Sequence, residues 1–258
     1  MSALPALPLL EVDLGVGVRA GFTIRAGGVG IGRFSSANLS EMVGDEPRAV
    51  TINRARLAAW AGAPVGWHRQ VHGTAVAAAD EDQRAADAVI GGAGQPVAVL
   101  VADCLPVLLA DPDVPVVAAA HAGRRGLAAG VLQATVAAML ARGARPDRIR
   151  AVVGPGICGR CYEVPAAMQY EVATAVPGTA SLTRAGTTAL DLPNGALTLL
   201  RDLGVGRVVD LGICTAEDPR FFSHRGDGGT VRPTGRSAGI AVAEPPPGVA
   251  NPVGGGHG

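Results

Sequence analysis

The chain has 258 residues, 48% of them apolar but only 3% aromatic, with no net charge. That length supplies a sizeable core, built here from Ala, Val and Leu, while 37 glycines and 19 prolines favour many turns over long helices. No basic footprint for nucleic acid is visible, and because all 22 basic residues are arginine, a Schiff-base or phosphate-loop lysine is excluded.

The opening MSALPALPLLEVDLG lacks a basic region ahead of its apolar run, which carries Pro5 and Pro8, so it does not read as a signal peptide. No uninterrupted apolar stretch reaches membrane-spanning length, and four cysteines in so long a chain do not make a disulfide scaffold. The expectation is a soluble, cytoplasmic protein. Thr23 to Gly32, TIRAGGVGIG, is a Gly-rich loop carrying Arg25. Residues 48–61 place Val50, Leu57 and Trp60 near helical spacing and stop at Gly62. PVGWHRQVHGTAV alternates at period two and predicts a strand, with Val65, Trp67, Arg69 and Val71 on one face and Gly66, His68, Gln70 and His72 on the other.

QPVAVLVAD, LPVLLAD and VVAAAH are short apolar runs of the kind that form buried strands, the last two separated by a turn over Asp111 to Pro115. GLAAGVLQATVAAMLARG predicts one helix stopped by Gly143 and Pro146. IRAVVG returns as a strand, PAAMQYEVATAV is a helix with Pro165 in its first turn, and NGALTLLRDLG is a helix capped by Asn194 and ended by Gly204. GRVVDLG and SAGIAVAE complete the strands. The predicted fold is α+β: an α/β sandwich of mixed sheets with outer helices, one catalytic domain over residues 1–243, and a disordered Pro/Gly-rich tail over 244–258.

Cys104 follows a buried strand and His121 ends another, with a hairpin's length between them, so both side chains meet at one end of a sheet. A thiolate and an imidazole brought together there are either zinc ligands or a nucleophile and its base. His72 is the natural third ligand, and one Cys with two His matches a metal centre that keeps a position open. His68 is expected beside the site rather than in it. HAGRRGL, with Arg124 and Arg125 ahead of a helix, is an anion-binding element. Cys158 and Cys161 have CxxC spacing, but with only the distant Cys214 besides they predict structural thiols near a turn, not a zinc ribbon. His224 reads as a surface loop residue, and His257 belongs to the tail.

Taken in order, GFTIRAGGVGIGRFSSANLS, WHRQVHGTAV, ADAVI, VLVADCLPVLLADP, AAAHAGRRGL, GPGICGRCYEV and CTAEDPRFFSHRGDGGTVRPTGRSAGIAV resemble the bacterial family catalogued as laccase-like polyphenol oxidases. Its members are also described as zinc-dependent purine nucleoside phosphorylases with adenosine deaminase activity, and relatives are labelled peptidoglycan editing factors. The resemblance covers roughly residues 20–243. It implies a fold related to cysteine-hydrolase-like toxins and a metal trio of His72, Cys104 and His121. Two departures stand out: Arg124 replaces the family's tryptophan, and FFSHRGDGG carries His224 and Gly226 where the family has a tyrosine and a second basic residue.

The activity so implied is phosphorolysis of adenosine or inosine, and of methylthioadenosine, by a zinc centre, with purine nucleoside and phosphate as partners and no nucleic acid, membrane or obligate protein partner. Cys104, His121, Arg25 and Arg125 form the expected catalytic set, with Arg25, Arg125 and Asn38 on substrate. Adenosine deamination at the same centre needs a proton shuttle, for which Asp103 is the candidate, because the H-x-E and P-C-x-x-C signature of zinc base deaminases is absent. The alternatives are a Cys104-dependent hydrolase or amidase in cell-wall editing and, since a soft Cys/His set also takes copper, a copper-dependent phenol oxidase.

Overall fold

The computed structural model describes residues 5–81, 84–228 and 232–245. In chain order the strands are β1 (Leu9–Glu11), β2 (Val18–Thr23), β3 (Val76–Ala78), β4 (Ala88–Gly91), β5 (Val97–Val101), β6 (Leu105–Asp111), β7 (Val116–Ala122), β8 (Arg150–Val153), β9 (Ala180–Leu182), β10 (Thr188–Leu190), β11 (Arg207–Asp210) and β12 (Ser237–Ala243). The helices are α1 (Pro47–Ala61), α2 (Arg124–Ala129), α3 (Val131–Ala141), α4 (Ala166–Ala175) and α5 (Leu192–Asp202). A six-stranded sheet runs β11-β8-β6-β7-β4-β3 and a four-stranded sheet runs β1-β2-β12-β5. The larger sheet is mixed, since β11/β8 and β3/β4 are parallel and its other pairs antiparallel.

Alternation along each strand explains why the central strands read as continuous apolar runs: both faces are covered. On β6, Leu105, Val107 and Leu109 pack toward α2 to α5, while Leu108 and Ala110 face the second sheet. On β12, Ile240 packs with Leu57 and Ala61 of α1, and Ala241 and Ala243 turn inward between the sheets. The result is an α/β/β/α sandwich. Each leucine buried this way contributes ~1.5–3 kcal/mol. With few aromatics available, Phe22 fills the space between sheets, and it fits because Gly154 and Gly239 lie against its ring: a Cβ on either would come within 2.2 and 3.1 Å of it.

Three sequence expectations are corrected. The period-two segment around His68 and His72 is not a strand and makes only an isolated bridge, Arg69 to Ala85. Its backbone goes elsewhere, because His72 adopts a left-handed φ of 59° and Val71, His72 and Gly73 donate their N–H groups to the Asp87 carboxylate. The single helix expected after His121 is two, broken at Gly130, where φ is 100°. Helix α5 begins at Asp191, whose carboxylate accepts the N–H of Asn194, so Asn194 lies in the first turn and is not the cap. Among the described residues no helix is long and apolar enough to cross a membrane. Of the tail, residues 246–258, with His257, lie outside the described residues.

Candidate metal centre

Three connections deliver the trio. Cys104 sits between β5 and β6, directly after Asp103, whose φ of 81° turns the chain sharply at the sheet end. His121 lies on β7 opposite Pro106 of the antiparallel β6, the predicted hairpin. His72 arrives on the irregular segment that Asp87 gathers at the start of β4. The ligand atoms of His72, Cys104 and His121 lie within 4.8 Å of one another, with Cys104 Sγ 3.9 Å from His72 Nε2 and the two imidazoles edge-on at 4.8 Å between centroids.

Asp87 organises this cluster. It is fully buried, and besides the three N–H donors of residues 71–73 its Oδ1 lies 2.8 Å from His121 Nδ1. Burial favours a neutral carboxyl, but the His121 bond and the N–H groups of Gly73 and Val71 outweigh it and hold Asp87 below the ordinary carboxylate range. With Nδ1–H spent on Asp87, His121 has Nε2 free as a ligand. Burial alone would push the Cys104 thiol up, yet hydrogen bonds with His121 and His72 bring it down to about 6. Burial likewise works against charge on His121, and Asp87 and Cys104 overcome it, raising it to about 9. Gly123 completes the cradle: a Cβ there would stand 2.8 Å from His72 Cδ2 and 3.0 Å from Cys104 Sγ. One soft thiolate and two imidazoles, converging and braced, fit a metal ion of the zinc or copper type.

Two cavities meet at the trio. One of about 420 Å³ is lined by Ser40, His68, Arg69, Gln70 and Arg236, the other, of about 290 Å³, by Arg124, Tyr162 and Arg225, and His72, Cys104 and His224 border both. His68 is thus at the site without belonging to the trio. His224, expected on the surface, faces the site because the loop carrying it is pulled in by Asp103. That carboxylate accepts from Thr215 Oγ1, Ser223 Oγ and the N–H of Arg225 at 2.6–2.7 Å. Asp103, which also lines the smaller cavity, accepts from three donors and braces this loop.

The arginines divide differently from the sequence expectation. Arg25 is held by Asp227 and the Ser35 carbonyl, lies over the Phe222 ring at 4.8 Å, and lines a separate cavity with Ser35 and Arg220. Arg125 is exposed on α2 and borders neither cavity at the trio. Asn38 is fully buried, and its amide is spent on Ser40, Asp45 and the N–H of Arg236. It therefore braces the wall instead of facing a ligand. Arg236 takes the place by the trio that Arg25 was expected to fill. Burial pulls this guanidinium below its ordinary value, with Cys104 and Asp103 supporting its charge. Asp87 and Arg236 had no role assigned to them from the sequence. Their signals were a lone acid in the apolar ADAVI and an arginine at the mouth of a buried strand.

A family model described as multi-copper polyphenol oxidoreductase laccase matches residues 19–244. A protein named purine nucleoside phosphorylase from Streptomyces griseus is 50% identical over 228 residues, covering 84% of this chain and 91% of its own. One of the same name from Mycobacterium bovis is 44% identical over 240 residues, covering 90% and 94%. Among solved structures, a Neisseria meningitidis protein of the family DUF152 superposes with a TM-score of 0.83 at 37% identity, over 92% of this chain and 99% of that one. YlmD of Geobacillus stearothermophilus gives a TM-score of 0.80 at 28% identity, over 92% and 100%.

Proposed function

From the premise that this chain belongs to the multi-copper polyphenol oxidoreductase laccase family, we propose that it is a zinc-dependent purine nucleoside phosphorylase acting on adenosine and inosine. The observation that carries this reading is the pair of cavities, each lined by arginine, that meet at the His72, Cys104 and His121 cluster. Curated relatives sharing 44–50% of their residues with it bear the phosphorylase name, which supports the substrate pair of nucleoside and phosphate.

In the reaction, a phosphate oxygen forms a bond to the anomeric carbon, the glycosidic bond breaks, and its electron pair leaves with the purine, which takes up a proton. His72, Cys104 and His121 would hold the zinc ion, which would supply Lewis-acid chemistry. Arg236 and Arg69 bind phosphate and hold it for attack, a gain in positioning and charge stabilisation. Tyr162, with the Arg225 guanidinium over its ring at 5.4 Å, lines the smaller cavity and offers the purine the aromatic contact that Arg124 cannot give in place of the family's tryptophan. His224, bordering both cavities, donates the proton to the departing base. Gly123, Asp87 and Asp103 act through these groups by fixing their positions.

Adenosine with phosphate should yield adenine and ribose 1-phosphate, and Cys104→Ala should abolish both products. Inosine appearing from adenosine in the same chromatograms would add deamination. One geometric feature favours a second reading: Cys104 Sγ and a His121 ring nitrogen lie within 4.8 Å of each other, and that contact, which helps bring Cys104 down to about 6 and His121 up to about 9, is also the poise of a cysteine hydrolase. That reading requires the metal-free protein to form an acyl-enzyme at Cys104 with an amide or ester substrate, so the mass of intact protein after such incubation decides between them.

A further inference from the structure

We propose that Cys158, Cys161, Cys214 and Glu217 form a second metal site, a closed structural zinc centre that clamps together the two loops behind the smaller cavity. The four ligand atoms lie within 4.8 Å of one another, although Cys214 is distant in sequence from the other two thiols. They come as two knuckles of equal spacing, Cys158-x-x-Cys161 and Cys214-x-x-Glu217. Each knuckle is wound by the same turn. The N–H groups of Cys161 and Tyr162 both donate to the Cys158 carbonyl at 3.0 Å, and those of Glu217 and Asp218 to the Cys214 carbonyl at 3.1 and 2.9 Å.

The loops are then laid side by side by Gly156 N–H to the Ile213 carbonyl and Thr215 N–H to the Gly156 carbonyl, at 3.2 and 3.0 Å. A backbone donor is turned toward sulfur: Cys158 N–H lies 3.4 Å from Cys214 Sγ. A donor placed so favours the thiolate, the form that binds metal.

Inert structural thiols would sit in apolar surroundings, whereas Cys158 and Cys161 are half-buried and share their space with a carboxylate. Arg184 pairs with Glu217 and reaches Cys161 Sγ at 4.0 Å, and Arg160 acts on the same carboxylate. A divalent ion would take the place of the thiol protons, which are released to solvent as it binds. Four donors, three of them thiolate, make a tetrahedral zinc set with no open position, in contrast to the three-donor cluster at the cavities. Its consequence for the active cavity follows from the chain. Ile157 and Tyr162, which flank the first knuckle, line the smaller cavity, and the second knuckle leads into His224 and Arg225, which line it too.

The test is elemental analysis of the full chain purified under reductant without chelator, as wild type, Cys104→Ala, Cys161→Ser and the double variant. Zinc should stand at about two, one, one and zero per chain respectively. Loss in Cys161→Ser with none in Cys104→Ala would still support this site while removing the phosphorylase reading. Wild-type zinc content in Cys161→Ser would overturn it.

Should Cys161→Ser fail to fold, alkylation of native wild type, read cysteine by cysteine by mass spectrometry, decides instead. Cys158, Cys161 and Cys214 should be protected until a chelator is added. Equal labelling before and after chelation, or a Cys158–Cys161 disulfide in the reduced preparation, would overturn the proposal.

Discussion

Asp87 Oδ1 lies 2.8 Å from His121 Nδ1, and the same oxygen accepts the backbone N–H of His72 at 2.9 Å. One buried carboxylate therefore orients one histidine of the cluster through its ring and the other through its backbone. This explains how a segment without regular structure delivers a side chain as firmly as a strand does. Replacing the carboxylate keeps the shape and removes the charge, so Asp87→Asn should bind zinc about 10- to 100-fold more weakly. Competition with a chromogenic chelator measures it, and unchanged affinity would deny Asp87 this role.

Gly123 tests the cradle from the opposite side. The methyl group of Gly123→Ala would stand 2.8 Å from His72 Cδ2 and 3.0 Å from Cys104 Sγ, so ligand side chains must move. The variant should lose zinc and phosphorolysis while losing only about 1–3 kcal/mol of stability, as read by urea unfolding of the metal-free proteins.

Arginine substitutions separate the two candidates for phosphate. Arg236→Gln should raise KM for phosphate about 10- to 100-fold, the value of a charged hydrogen bond of ~1.5–3 kcal/mol, with zinc content unchanged. Arg25→Gln, which releases Asp227 and Phe222, should lower the melting temperature and leave KM for phosphate within about twofold. The reverse pattern would return the role to Arg25.

The inter-sheet core has its own test. Phe22 is 1% exposed between the sheets, and in a core with so few aromatics nothing nearby can fill its place. Phe22→Ala should cost ~3–5 kcal/mol in equilibrium urea unfolding, and a cost below about 1 kcal/mol would mean that the sheets collapse onto each other without it.

Much of this was legible in the sequence. The buried strands announced themselves as apolar runs, and the Cys104/His121 hairpin followed from strand length and turn chemistry. The strand expected through His68 and His72 failed because a side chain, Asp87, replaced a neighbouring strand as the hydrogen-bond partner, and alternation carries no information about that. The helix after His121 was split by one glycine with a left-handed φ. Cys214 joined Cys158 and Cys161 only through pairing of the loops after β8 and β11, a tertiary contact that no local spacing encodes. Arg25 and Asn38 belonged to conspicuous motifs, yet each has its polar atoms spent on bracing neighbours. Arg236 stood in the last of the quoted motifs with no role attached to it, and it lines the cavity.

On the proposed function, a metal held by His72, Cys104 and His121 drives phosphate-dependent cleavage of purine nucleosides. Its most direct test follows adenine release from adenosine by the zinc-loaded protein, with and without phosphate, then after chelation and after zinc is restored. The proposed reaction requires release only with phosphate, loss on chelation and recovery with zinc, with ribose 1-phosphate formed in equal amount. Release that persists in chelator, or that proceeds without phosphate to free ribose, would contradict it.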